Sequence, residues 1–358
     1  MKICFLADSE SIHTKRWCAH FHGLGYEIHL ISLKPTPIEN IHFYHLDAGN
    51  ISVVGGNKKV LFQGGKVRTL IKKIKPDILH AHYATSYGWL GARSGFHPYV
   101  VTALGTDVLL SPENSFLYRK MLKYIFRKAD AVTLMADHMK DMIVKHDLGD
   151  LKKFSVVPFG IDTSIFNSDH RKLDEDKFVI TSTRNFEIVY NIPHLLQSVS
   201  KVKEKIPSLK LNLVGDGSKR SEVEKMVKDL GLSEITQFFG RIPQPSIAEI
   251  LNKSNVFITV SLSDGNNISL NEAMACGTYC IATDIPANTQ WINENENGRL
   301  VKINDVENLS NVIFETYKNY DVIMKEVNSK NRKIIQERAD WNLNMKKVEN
   351  LYQELCKK

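Results

Sequence analysis

Short apolar runs alternate with longer amphipathic stretches along the whole chain. The run KICFLAD opens it at strand length. A polar loop follows, then a helical pattern near residues 14–23, then Gly25 and the strand YEIHLISL. Further along come the apolar run PDILHAHY, a helix of small residues containing Gly88, Gly91 and Ala92, and the run YVVTALGTDVL. The amphipathic SFLYRKMLKYIFRKAD and the strand AVTLMA complete this series. The strands read as continuously apolar instead of alternating. Strands of that kind, separated by helices, predict a parallel sheet covered on both faces.

The segment FSVVPFGIDTSIFNSDHRKLDEDK interrupts the pattern with Pro158, Gly160 and a polar run to Lys177. A second alternating series starts at FVITSTR. It continues through a helix over 192–205, LKLNLVG, a helix over 218–230, ITQFFG, a helix over 245–253, VFITVS, a helix over 269–276 and TYCIATD. The repeat of one character in two halves predicts an α/β protein of two Rossmann-like, doubly wound domains facing across a cleft. The expected domains are 1–166 and 167–337, followed by a terminal segment 338–358. Its amphipathic helix, Trp341 to Leu355, gathers Leu343, Val348, Leu351, Tyr352 and Leu355 on one face.

Composition narrows the class. A chain of 358 residues suits two α/β domains, and 43% hydrophobic with 24% charged residues is ordinary for a globular protein. No apolar run approaches the roughly 18–20 residues of a membrane span. The start, MKICFLADSESIH, lacks a signal peptide's longer apolar core, so the expectation is a cytoplasmic protein. Cys4, Cys18, Cys276, Cys280 and Cys356 lack the spacing of a zinc set and read as reduced thiols. The net charge of +7 is uneven. Residues 1–166 hold 21 Lys+Arg against 14 Asp+Glu, and the remainder holds 26 of each. A basic first half suits an anionic partner such as a phosphorylated lipid, an anionic membrane face or nucleic acid, or serves solubility alone.

The stretch SLSDGNNISLNEAMACGTYCIATDIPANTQWI, residues 261–292, carries the candidate chemistry. A strand ends at Ser261, a loop holds Asp264, Gly265, Asn266 and Asn267, and a helix starts near Ser269. Backbone N–H groups and the positive helix end then point to one spot suited to phosphate. Asp264 stands at the loop mouth and Glu272 a turn inside the helix, where both can accept hydrogen bonds from hydroxyls. Taken alone, Asp264 is more readily a helix N-cap or loop residue and Glu272 a solvated helix position.

The whole string resembles the donor signature of retaining GT-B glycosyltransferases, family four: two acids with seven residues between, then A-M-A-x-G, then a strand ending in T-D. HAHYATSYGWLGA and TALGTDVL are similar to that family's acceptor domain, VVPFGIDTSIF to its interdomain strand, and LNLVGDGSKRSEVEKMVKDLGLSEITQFFGRIPQ to its nucleotide-proximal unit. The terminal helix resembles the one that crosses back to the first domain. The resemblance implies transfer of a sugar from a nucleotide diphosphate, most commonly a UDP-sugar, to a hydroxyl acceptor on a glycan or lipid, with retention. It implies Glu272 at the ribose, Asp264 at the sugar hydroxyls, and the amides of Gly265, Asn266, Asn267, Ile268 and Ser269 at sugar and diphosphate. Gly215 and, near the base, Gly240, Arg241 and Ile242 complete the set.

Two departures stand out. The family pairs an Arg with a Lys five residues on. Here Arg184 is present but the lysine position is Val189, followed by Tyr190, similar to a subset with R-x-x-x-x-x-Y-N and an S-D-G loop. The histidine of T-x-H-G-x-D is Leu104. His80 and His82, at a predicted strand end, are candidates to line the cleft instead, with His82 as the catalytic candidate, or are packed strand-end histidines. No Asp-x-Asp pair suggests a metal clamp, so Arg184 and the 265–269 amides are expected to oppose the leaving-group charge without metal. No cofactor beyond the donor and no nucleic acid is expected. Two rivals remain open on these residues: an epimerase or hydrolase of the same fold, and a non-catalytic nucleotide-binding subunit.

Overall fold

The computed structural model describes residues 1–49 and 58–357, leaving aside the side chains of residues 58 and 114. It divides into two compact units: Met1–Phe159 with Lys346–Lys358, and Gly160–Met345.

The first unit is built on a parallel sheet of seven strands. These are β1 (Lys2–Leu6), β2 (Glu27–Ser32), β3 (His42–His45), β4 (Ile78–His82), β5 (Tyr99–Ala103), β6 (Ala131–Leu134) and β7 (Phe154–Val156), in the order β3-β2-β1-β4-β5-β6-β7. β4 and β5 are buried at every position, which is why their sequences are continuously apolar. A buried polar chain ties the middle of this sheet together. Tyr352 Oη meets His80 Nδ1 at 2.5 Å, His80 Nε2 meets Thr102 Oγ1 at 2.7 Å, and Thr102 meets the Thr133 hydroxyl at 2.6 Å. The end of the terminal helix, Trp341–Cys356, thus belongs to this unit.

The second unit carries a parallel sheet of six strands: β8 (Phe178–Ser182), β9 (Leu209–Val214), β10 (Thr236–Gly240), β11 (Val256–Thr259), β12 (Tyr279–Thr283) and β13 (Arg299–Val301). Their order is β10-β9-β8-β11-β12-β13. One face buries Leu195, Leu196 and Val199 against Ile180, Leu211 and Ile258. The other packs Leu270, Ala273 and Met274 of the helix Ile268–Ala275 against Phe257, Cys280 and Ala282. Small residues on that helix let it lie close to the sheet, which fixes its N-terminus beside the end of β11. Arg171 secures the far end of the same layer. It donates to the carbonyls of Leu251 (3.3 Å), Ser254 (2.8 Å) and Cys276 (3.4 Å), and to the hydroxyl of Tyr320 (3.1 Å).

The break after Phe159 falls seven residues before the boundary expected at 166, because Ile161 and Phe166 are buried in the second unit's core. Likewise the second unit runs past 337 to Met345. Ile161 and Asp340 form a parallel bridge, and a Cβ at Gly160 would strike the Trp341 backbone. The apolar pattern also misses β3 and β13. Both are short edge strands, and β3 has no fully buried position. On the helix Phe116–Lys128 the buried stripe is Leu122, Ile125 and Phe126. Among the described residues no helix is long and apolar enough to cross a membrane.

Candidate functional site

In the second sheet the chain runs outward from β8 through β9 to β10, then returns to the other side of β8 for β11. The switch point lies between β8 and β11. In open parallel sheets the loops that leave strands at such a point splay apart and leave a crevice at the carboxyl ends. Arg184 lies two residues beyond β8, and Asp264 through Ser269 lie beyond β11. The fold therefore brings together what the sequence separates by 80 residues.

Arg184 is 7% exposed and held on several sides. Its Nη2 donates to Asp264 Oδ2 at 2.6 Å, and its Nη1 to Asn267 Oδ1 at 3.0 Å and Ser269 Oγ at 3.4 Å. The Tyr190 ring covers its face, with the centroid 4.0 Å from Cζ. Nε is buried without a partner among the described residues.

Asn267 is fully buried and organises the loop. Its Oδ1 caps the helix by accepting from Leu270 N at 3.2 Å. Its Nδ2 donates to Thr259 Oγ1 at 3.1 Å and to Asn288 Oδ1 at 2.9 Å. Asn266 accepts from the Trp291 indole at 2.9 Å, and its own Nδ2 is buried and has no partner among the described residues. Both side chains serve the loop, which leaves backbone N–H groups to face a ligand. Those of Gly265, Asn266 and Asn267 meet no protein acceptor among the described residues. Ile268 begins the helix, and Glu272, 7% exposed, sits one turn further in.

Gly215 follows β9 and sits against the Arg184 backbone. A Cβ there would lie 2.7 Å from the Arg184 carbonyl oxygen, and φ is +138°, a region side chains avoid. Its N–H donates to Gly240 O at 2.8 Å, so the turns after β9 and β10 close together. Arg241, exposed, and Ile242, half-buried, follow at the end of β10.

Sequence reasoning missed several groups here. Ser182 ends β8 and Thr183 follows it, with hydroxyls that have no partner among the described residues, and Thr183 O accepts from Ser269 Oγ at 3.4 Å. Their neighbours in FVITSTR made them look like ordinary strand residues. Tyr190 was noticed as the neighbour of a missing lysine and as part of an R-x-x-x-x-x-Y-N pattern, without a role of its own.

His82 belongs to the other unit, at the end of β4. It is 3% exposed and meets Trp17 edge-on, with centroids 4.6 Å apart. Burial, assisted by His13, holds its pKa down at about 3, and Nε2 has no partner among the described residues. The ring is a neutral hydrogen-bonding group and carries no charge. Leu104 lies in a turn stapled by buried Asp107, which accepts from Leu104 N (3.1 Å), Gly105 N (2.9 Å) and Ala84 N (2.6 Å). The cysteines are free, and burial pushes Cys18 and Cys276 up to about 12. One cluster of possible metal donors occurs among the described residues, Glu27, His29 and His42. Both ring nitrogens of His29 are already engaged, by Glu27 (2.9 Å) and Tyr44 (3.1 Å), and Lys2 lies 3.2 Å from Glu27.

Two family models match this chain: glycosyl transferase 4-like over residues 2–136, and glycosyl transferases group 1 over residues 165–339. The chain belongs to the group 1 glycosyltransferases. It is 25% identical over 318 residues to the N-acetyl-alpha-D-glucosaminyl L-malate synthase of Bacillus anthracis, covering 83% of this chain and 81% of that one. The glycosyltransferase is similar in fold to sucrose-phosphate synthase from Thermosynechococcus elongatus, with a TM-score of 0.84, 18% identity and 99% of each chain covered. It is also similar to HepE of Anabaena, solved in complex with UDP and glucose, with a TM-score of 0.79, 17% identity, and 99% and 100% covered. The fold is GT-B, and the activity is transfer of a glycosyl group.

Proposed function

We propose that this glycosyltransferase takes a UDP-linked sugar into the crevice between β8 and β11 and passes the sugar, with retention of configuration, to a hydroxyl of a glycan or lipid-linked acceptor. The observation that carries the donor reading is Arg184. It is buried at a topological switch point, with an unpartnered Nε beside free backbone N–H groups and a helix N-terminus. The resemblance to HepE, whose structure holds UDP and glucose, supports the choice of nucleotide. In this reading Arg184 and the Gly265–Ser269 backbone hold the diphosphate, and Asp264 holds sugar hydroxyls. Glu272 holds the ribose, and Gly215, Arg241 and Ile242 border the base. The acceptor belongs to the first unit, where His82 acts through its neutral ring. Negative charge grows on the leaving diphosphate in the transition state, and fixed donors aimed there stabilise it more than they stabilise the bound donor. The departing phosphate oxygen takes the acceptor proton. A thermal-shift series with UDP, UDP-glucose and uridine tests the donor reading. UDP and UDP-glucose should raise the melting temperature in proportion to log concentration, and uridine should do so less. No shift with any of them overturns it.

The same reading makes the reaction independent of metal, because Arg184 and backbone dipoles supply the positive field. Turnover of UDP-glucose should persist in EDTA. Loss restored by magnesium or manganese would refute this.

The first unit, with its excess of positive charge, also docks at the cytoplasmic face of an anionic membrane. Phe116 (58% exposed) and Leu117 (75%) stand at the start of the basic helix, and Lys120 lies over the Phe116 ring at 4.5 Å. Binding to anionic vesicles should fall as salt rises. It should weaken when Arg119, Lys123 and Arg127 become Gln, with Lys123 contributing least because Asp147 already pairs with it. Equal binding to neutral and anionic vesicles would count against it.

A further inference from the structure

The Arg184 guanidinium, which the proposed function assigns to the donor diphosphate, stands over the Tyr190 ring with Cζ 4.0 Å from the centroid, and neither the motif nor its departures explain why an aromatic stands there. Tyr190 ends a 3₁₀ turn, Ile188–Tyr190. That turn is pinned from both sides. Leu262 N donates to Val189 O at 2.8 Å, tying it to the loop after β11. Asn191, in the left-handed region at φ 51°, donates from Nδ2 to Asn304 Oδ1 at 2.9 Å. The ring is thus delivered by backbone anchored on the same loop that carries Asp264.

A guanidinium has two weakly hydrated faces and an edge rich in donors. In-plane bonds from Asp264, Asn267 and Ser269 occupy the Nη edge of Arg184. In-plane bonds alone leave the group some freedom to tilt about its own long axis, since a hydrogen bond weakens steeply only at large angular deviations. An aromatic face at 4.0 Å removes that freedom and attracts the cation through the ring quadrupole. The donor left over, buried Nε, then has one direction in which to meet an anion. A lysine would add charge in this place but no plane.

We propose that Tyr190 is a positioning residue that holds the Arg184 guanidinium in the plane from which it grips the donor diphosphate. This rests on the reading of the β8–β11 crevice as a UDP-sugar site. The ring carries the effect and the hydroxyl does not.

Isothermal titration with UDP and with uridine measures the part of affinity that depends on the diphosphate. Tyr190→Leu should cut the ratio of UDP to uridine affinity about tenfold, a size expected from losing a desolvated cation–π contact. Uridine affinity should stay unchanged. Tyr190→Phe should keep the wild-type ratio within twofold. In an Arg184→Gln background, Tyr190→Leu should cost nothing further, since there is no guanidinium to hold. Tyr190→Gln repeats the test should the leucine variant fail to fold. A ring that merely supports the fold would lower UDP and uridine affinity alike, and would do so with or without Arg184. That result, or an unchanged ratio in Tyr190→Leu, overturns the inference while the donor reading stands. Wild-type protein that binds UDP no tighter than uridine would remove the donor reading, and the role of Tyr190 with it.

Discussion

Arg184, Asp264 and Glu272 sit along one bound-donor axis in the proposed reading, and their different positions predict different kinetic faults. Arg184 opposes charge that grows toward the transition state. Its replacement by Ala should lower kcat by about 10²–10³. The loss leaves the Asp264 carboxylate facing the diphosphate without its partner at 2.6 Å, which works in the same direction. Glu272→Ala removes hydrogen bonds to a part of the donor that changes little during reaction, so it should mainly raise the donor KM. Asp264→Ala should fall between these and shift the preference among donor sugars. Steady-state kinetics on folded variants checks the order. A near-normal kcat in Arg184→Ala, with turnover abolished in Glu272→Ala at saturating donor, would reverse the assignment. These three residues were singled out in the sequence because Arg184 and the two acids, with the small-residue helix after them, resemble a family signature. Tyr190 and the hydroxyls of Ser182 and Thr183 were not. A ring over a guanidinium is a relation in space between positions six apart on an irregular turn, and no periodicity marks it.

At the scale of elements, the loop after β11 works because one side chain builds it. Asn267 caps the helix, accepts from Arg184 and donates to Thr259 and Asn288, all while fully buried. Asn267→Ala should therefore destabilise the second unit by about 2–4 kcal/mol, a lost cap together with buried polar groups left unpaired. It should also lower kcat, because Arg184 loses an in-plane partner. Asn267→Asp keeps the acceptor and should recover part of the stability, but not the bonds donated by Nδ2. Urea unfolding resolves the three proteins, and equal stability of all three would contradict this account of the loop. The sequence announced this helix and the buried strands around it through long apolar runs and a Gly-Asn-Asn loop. β13 was illegible for the complementary reason: it is three residues long at a sheet edge, with a single fully buried position. The early break after Phe159 escaped notice because Ile161 and Phe166 look like linker residues until the core that receives them exists.

Over the whole molecule, the two units should respond differently to acid, because buried imidazoles are concentrated in the first. Burial and the nearby Arg16 hold His13 at about 4, burial and His13 hold His82 at about 3, and burial with His82 holds His80 well below its ordinary 6.5. In the second unit burial also lowers His194. A histidine whose folded pKa is depressed refuses a proton that the unfolded chain accepts near 6.5. Above that pH both states are neutral, and the stability of the packed ring is fully present. As pH falls below about 6.5 the unfolded state binds more protons, and stability drains away until the folded pKa near 3–4 is reached. Each such group steepens the loss by about 1.4 kcal/mol per pH unit within its window. Three of them in one unit should make β1, β4 and β5 open well before β8 and β11 as pH is lowered from 7 to 5. Hydrogen exchange read peptide by peptide, corrected for the intrinsic pH dependence of exchange, follows both units in one sample. The His13→Gln variant should flatten the slope of the first unit by about one group's share and leave that of the second unchanged. Parallel loss of protection in both units, or a first unit indifferent to pH across this range, would mean that these imidazoles find protons in the folded state and that the packing of Phe5, Trp17 and Phe159 around them does not exclude charge.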